Sequence, residues 1–135
     1  MSAAIVREIE AFLRSLRQSL SARDIKAYRG HFWTNRAFVH VDITGRIDHG
    51  WGAHEEVIDQ EFRYLESEQL AFKEPQIHGH GDETFTVVAQ FKLDAVDPGG
   101  REQSTTGVAS LVIVRMSGDF KIVLAHYSKA PEEVF

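Results

Sequence analysis

The sequence has no cysteine. That excludes a disulfide framework, a thiolate zinc site and a cysteine nucleophile, and it agrees with a reducing compartment. No apolar run is long enough to cross a bilayer. The opening MSAAIVREIEAF interrupts its apolar stretch with acidic residues, unlike a signal peptide, so a cytoplasmic protein is expected. Basic residues are also in the minority, with 15 Lys and Arg against 20 Asp and Glu and a net charge of −5. The basic residues are scattered rather than striped, which argues against a nucleic-acid partner. A phosphate-binding glycine loop, a Gly-x-Ser-x-Gly elbow and a His-Glu-x-x-His pair are all missing. Nucleotide binding by a P-loop or a dinucleotide fold, and the common hydrolase nucleophiles, drop out with them.

What is present suits one soluble domain spanning residues 1–135. The chain is long enough for a real core, and 43% hydrophobic with 26% charged residues is ordinary for a globular protein. Apolar residues Ile5, Ile9, Phe12, Leu13, Leu16 and Leu20 recur at helical spacing through Ala3–Ala22, with Arg7, Glu8, Arg14 and Arg17 opposite. Asp24 is placed to cap a short second helix whose inner face holds Ile25, Tyr28 and Phe32. Ala37–Asp42 is β-rich, Ile43–Gly45 turns, and Arg46–His49 forms a short return strand. Gly50 then caps a third helix, with Glu55 and Glu56 near its positive end and a stripe of Trp51, His54 (or Glu55), Ile58, Phe62 and Leu65.

From Leu70 onward the pattern is that of strands: Leu70–His80, Thr84–Val96, Gln103–Met116 and Phe120–Ser128. They are joined by short Gly- and Asp-containing turns, which make antiparallel neighbours. Helices first and a long antiparallel sheet afterwards predict an α+β architecture, with the N-terminal helices in the concave face of a strongly curved sheet. Val108–Val114 is apolar on both faces, so the outer face also needs cover. A second copy of the same sheet supplies it, and a homodimer is expected.

Three stretches carry a family resemblance. AFVHVDITGRIDHGW matches a strand, a turn and a Gly-led third helix; FKIVLAHYSKAP resembles a W-x-I-V-x-x-H-x-S-x-x-P ending with Phe120 in the Trp position; and the chain starts with two helices. On these, nearly the whole chain resembles the nuclear transport factor two-like superfamily, the SnoaL-like or ketosteroid-isomerase-like cone. The resemblance implies a cystatin-like cone with a pocket between helices and sheet, used in different members for isomerisation, dehydration, cyclisation, ligand binding or assembly.

Within that frame Asp42, three residues before Gly45, is the candidate general base by resemblance to the isomerases. Such a base must be desolvated enough for its pKa to rise. Its other role is to hold the turn backbone. The isomerases also place an oxyanion-binding Tyr on the first helix, and Ala3–Ala22 has none. His40 shares strand parity with Phe38 and Asp42 and is the second candidate base. Tyr28 and His54 are candidate donors, facing one cavity and able to polarise a carbonyl or hold a carboxylate, or else to satisfy each other or a backbone carbonyl within the core. Trp51 and Ile58 are expected to supply apolar wall, with Trp33 a further indole near the same stretch. The resemblance to the kinase-association branch puts Tyr127 in the pocket and His126 on the convex face. Gln90 is a further polar wall candidate. His78 and His80 share a face at a strand end but lack accompanying carboxylates, so neither a metal nor a cofactor is expected. The expected ligand is a small carbonyl-bearing or aromatic molecule. The competing expectation is a non-enzymatic dimeric module with a vestigial pocket.

Overall fold

Side chains cap the first two helices. In the computed structural model, which describes residues 1–131, the Ser2 hydroxyl accepts from the Ile5 N–H at the start of α1 (Ala3–Ser21). The Asp24 carboxylate accepts from the Ala27 N–H at the start of α2 (Ile25–Arg29). Each bond satisfies a donor that the first helical turn leaves unpaired.

The third helix, α3 (Trp51–Tyr64), starts differently. Gly50 caps it with φ +90° and no side-chain bond. Its N–H donates to the Phe38 carbonyl at 2.7 Å, and that of Trp51 donates to the Asn35 carbonyl at 3.0 Å. A Cβ on Gly50 would stand 3.0 Å from the Arg36 carbonyl oxygen. Glycine therefore permits both the backbone angle and the close approach that lock α3 to the segment before β1 (Val39–Val41). Glu55 and Glu56 fall beyond the first turn. Glu55 serves a different purpose there, accepting from the Trp51 indole N–H at 2.8 Å and from Arg29.

The strands are β1, β2 (Ile47–His49), β3 (Ser67–His80), β4 (Thr84–Val96), β5 (Glu102–Met116) and β6 (Asp119–Lys129). Their order in the single sheet is β2-β1-β6-β5-β4-β3. β1–β2, β3–β4, β4–β5 and β5–β6 pair antiparallel, β1 lies parallel to β6, and β2 and β3 form the two edges. Two irregularities bend the sheet. One sits between Lys73 and Gln76 on β3, where Glu74 has φ 52° and Pro75 cannot donate to the ladder. The other lies opposite Val112–Ile113, where β6 carries an extra residue. This second bulge resets the alternation: Ile122 is fully buried, and it rather than Val123 joins Ala125 on the inner face.

The core lies between α1 and the inner sheet face. Ile9, Leu13, Leu16 and Leu20 pack with Phe85, Val87, Phe91, Leu111, Ile113 and Ile122. The architecture is α+β, with the helices held in the hollow of the sheet. No helix among the described residues is long and apolar enough to cross a membrane. The outer sheet face keeps Val88, Val108 and Leu124 exposed.

Candidate functional site

A short hairpin presents the first polar groups. The Asp42 carboxylate accepts from the Thr44 N–H, the Thr44 hydroxyl and the Arg46 N–H, and it pairs with the Arg46 guanidinium at 2.7 Å. This closes the turn and sets the register of β2, which puts Asp48 directly opposite His40. Asp48 is buried, and its carboxylate takes the Arg46 Nε–H at 3.0 Å.

From Asp48 a hydrogen-bonded chain runs into the interior. His54, 1% exposed on α3, places Nδ1 3.0 Å from the Asp48 carboxylate and Nε2 2.9 Å from the Tyr28 hydroxyl. Burial pushes the Asp48 carboxyl up, but the bonds from His54 and Arg46 outweigh it and hold the carboxyl below its usual range. An ionised carboxylate only accepts, so His54 carries its hydrogen on Nδ1 and donates it to Asp48. Nε2 is then left to accept the Tyr28 hydroxyl hydrogen. Burial lowers the His54 pKa despite Asp48, and burial above all raises that of Tyr28. At neutral pH the chain is phenol, neutral imidazole, carboxylate.

His40 completes the cluster. Its ring stacks on that of His54, and its Nδ1 is buried with no hydrogen-bond partner among the described residues. The nearest charge is the Asp48 carboxylate at 3.8 Å. Burial, and then the neighbouring His54, push the His40 pKa down to about 3, so this ring is neutral as well.

The chain opens on a cavity of about 160 Å³. Leu16, Leu20, Phe32, Ile58, Leu70 and Phe91 form much of its apolar wall, and Tyr28, His40, Asp42, Arg46, His54 and Tyr127 bring polar atoms to it. A cavity this size suits a ligand of about one six-membered ring, far smaller than a fused polycycle.

The expected residues divide as follows. Tyr28, His40, Asp42, His54, Ile58 and Tyr127 all line the cavity. Trp51 does not. It is buried one layer behind, stacked on Phe32 with centroids 5.2 Å apart and packed against Phe38. Gln90 is exposed on the convex face opposite Val108, because the inward positions of β4 are Ala89 and Phe91. Asp42 lacks the environment of a general base. Its pKa is lowered, since the turn bonds and Arg46 overcome the effect of burial. His126 is exposed, Trp33 is half-buried beside the core, and His78 and His80 are exposed, with His80 bonded to Thr86.

Two functional candidates, Asp48 and Glu68, were missed in the sequence. The signal for Asp48 was the turn itself, because a return strand after Asp42–Arg46 pairs Asp48 with His40. For Glu68 the strand start was placed too late, at Leu70. Extending the alternation of Leu70 back by one step puts Glu68 on the same inner face.

His40, Asp48 and His54 bring three ligand-type atoms within 4.8 Å of one another. The two imidazoles lie in nearly parallel planes, so their in-plane lone pairs do not converge on one point. Arg46 already neutralises the carboxylate. Asp48 and His54 belong to the hydrogen-bonded chain with Tyr28, and the trio with His40 does not fit a metal centre.

The family model for the SnoaL-like domain matches residues 9–132. The chain belongs to the SnoaL-like family. No curated protein matches it in sequence. Solved structures share the SnoaL-like fold at low identity. A nuclear transport factor 2-like superfamily protein from Salmonella enterica superposes with a TM-score of 0.87 at 20% identity, covering 98% of this chain and 95% of that one. A candidate calcium/calmodulin-dependent protein kinase II association domain from Xanthomonas campestris gives 0.82 at 12%, covering 94% and 89%. A candidate dehydratase of the same superfamily from Streptomyces avermitilis gives 0.82 at 13%, covering 93% and 95%. At these identities the likeness speaks for the fold alone, and this SnoaL-like chain's chemistry must be read from its own residues.

Proposed function

We propose that this is a cytoplasmic small-molecule-binding protein whose cavity performs cofactor-free acid–base chemistry, an isomerisation, dehydration or cyclisation, on a small carbonyl-bearing or aromatic compound. The observation that carries the reading is the Asp48–His54–Tyr28 chain ending at the cavity wall. A proton leaving a carbon next to a ligand carbonyl passes to the Tyr28 oxygen as the phenolic hydrogen moves to His54 Nε2. Asp48 then stabilises the imidazolium. Return of the proton to another ligand atom reverses each transfer and regenerates the neutral chain. His40, kept neutral, gives the ligand a polar contact without adding charge.

The test is turnover of small enone and lactone panels by wild type, Asp48→Asn and His40→Gln. Losses of about 100-fold or more are expected for Asp48→Asn, the usual scale for disabling general acid–base catalysis. Unchanged rates in both variants would remove the assignment.

A second reading, a non-enzymatic homodimeric module with a vestigial pocket, is favoured by a separate observation. Val88, Val108 and Leu124 stay exposed on the outer sheet face, next to half-buried Val112. A dimer through that face buries them. Sedimentation at micromolar concentration is expected to show a dimer that Val108→Glu dissociates. A wild-type monomer would count against assembly. A dimer whose cavity takes none of the panel would favour assembly over chemistry.

A further inference from the structure

A second polar pole of the cavity plays no part in the chain described above. Glu61 and Glu68 both line the cavity. Glu61 lies seven residues beyond His54 on α3, two helical turns along the same face and about 10 Å away. Glu68 comes from β3, at the far edge of the sheet from the β2–β1 hairpin that carries Asp48 and His40. It is 2% exposed, and its Oε1 is buried with no hydrogen-bond partner among the described residues. An acceptor-capable atom left unpaired in a ligand-sized cavity is costly unless a ligand completes it.

The charge balance says which ligand. Three carboxyl groups line the cavity, from Asp42, Glu61 and Glu68, and Arg46 is the only lining Lys or Arg among the described residues. Arg46 is committed to Asp42 and Asp48. The Arg23 guanidinium lies near the Glu61–Glu68 end, but it donates to the Leu65 carbonyl and does not line the cavity. Burial, then the Glu61 carboxyl, push the Glu68 pKa up to about 9, with Arg23 opposing. In the empty cavity the pair therefore keeps a proton that an incoming cation can displace.

We infer that Glu61 and Glu68 form a subsite for a protonated amine, and that the natural ligand is a monocyclic or similarly small amine whose other end reaches the Tyr28–His54 pole. This rests on the reading that a small molecule occupies the cavity. The ammonium donates to Glu68 Oε1 and is attracted by the Glu61 carboxylate. As it binds, Glu68 loses its proton to solvent, so uptake of the amine is coupled to proton release.

Calorimetry with benzylamine, benzyl alcohol and benzoate as probes of one shape tests this. Wild type is expected to bind benzylamine about tenfold or more tightly than benzyl alcohol, the scale of one charge-assisted hydrogen bond. Heats measured in buffers of different ionisation enthalpy should show a proton released with benzylamine alone. Glu68→Gln should bring the benzylamine to benzyl alcohol ratio close to one, and Glu61→Gln should lower it as well. The second variant decides the matter if the first does not fold. Equal or tighter binding of benzyl alcohol or benzoate by wild type would overturn the amine subsite while sparing the small-molecule reading. A preference for benzylamine that survives both variants would overturn the subsite too. Binding of none of the three probes at millimolar concentration would overturn both.

Discussion

The imidazole of His40 lies flat on that of His54, with ring centroids 3.9 Å apart and planes 19° from parallel. Two stacked, buried imidazoles cannot both be charged without strong repulsion, and only His54 has a hydrogen-bonded carboxylate. The two rings therefore differ in their surroundings: His54 is bonded to Asp48 and Tyr28, and His40 stays neutral beside the cavity.

This has a consequence for acid stability. His40 has a folded pKa of about 3 against an ordinary value of 6.5. Between those values the unfolded chain binds a proton that the native state does not. Stability is therefore complete above pH 6.5 and falls as pH drops towards 3. The slope contributed is on the order of 1.4 kcal/mol per pH unit. Urea unfolding at a series of pH values should show a shallower acid limb for His40→Gln than for wild type. Identical limbs would sink the assignment.

Glu68 acts in the opposite sense. Its folded pKa of about 9 lies above the ordinary value of 4.5, so its contribution is present below 4.5 and is lost as pH rises through 9. Glu68→Gln keeps the shape of the side chain and removes the ionisation. The variant should gain stability relative to wild type at pH 8 to 9, by about 1–3 kcal/mol after relaxation around the site. A variant that loses stability equally at every pH would show Glu68 to be packing alone.

Asp42 and Asp48 lie six residues apart, on either side of one turn, and should behave differently. Asp42→Asn weakens a half-exposed turn and its Arg46 pair, a cost of about 1 kcal/mol or less, and should leave turnover near wild type. Asp48→Asn removes the buried charge shared by His54 and Arg46 and turns one of its two acceptor oxygens into a donor that faces another donor. A loss of about 3–5 kcal/mol is expected, together with the loss of turnover. Chemical denaturation and panel turnover on the same two proteins separate the cases, and a larger catalytic effect from Asp42→Asn would reverse the assignment.

Tyr28→Phe isolates the far end of the chain. It preserves packing against Phe32 and Phe62 while leaving His54 Nε2 without its donor. The stability cost should be about 1–3 kcal/mol. The two-dimensional NMR signals of the His54 ring should shift as Nε2 loses its bond. A ring unperturbed by the substitution would mean that the Tyr28–His54 bond does not form in solution.

A backbone prediction concerns Gly107 on β5. A Cβ there would fall 1.8 Å from the Ser128 carbonyl oxygen, and backbone on a paired strand cannot yield as a side-chain tip can. Gly107→Ala should destabilise by about 1–3 kcal/mol or more and shift amide signals along β5 and β6. A silent substitution would mean that the strands are further apart than described.

Much of the fold was legible in the chain, because local chemistry decides it. The Asp24 cap, the Gly50 start of α3, the turns after His80, Val96 and Met116, and the shared parity of Phe38, His40 and Asp42 all follow from neighbours a few residues away. Strand alternation likewise separated Ala109, Leu111 and Ile113 from Val108, Val112 and Val114. Tertiary structure decided what depends on contacts between distant segments. Parity marks two faces of a strand without saying which is concave, so Gln90 was misassigned. A bulge moves the pattern by one residue, so Ile122 and not Val123 shares the inner face with Ala125. The partner of a buried imidazole is set by ångström-scale packing of three separate elements, and only their assembly joined Asp48 of β2, His54 of α3 and Tyr28 of α2 into one chain.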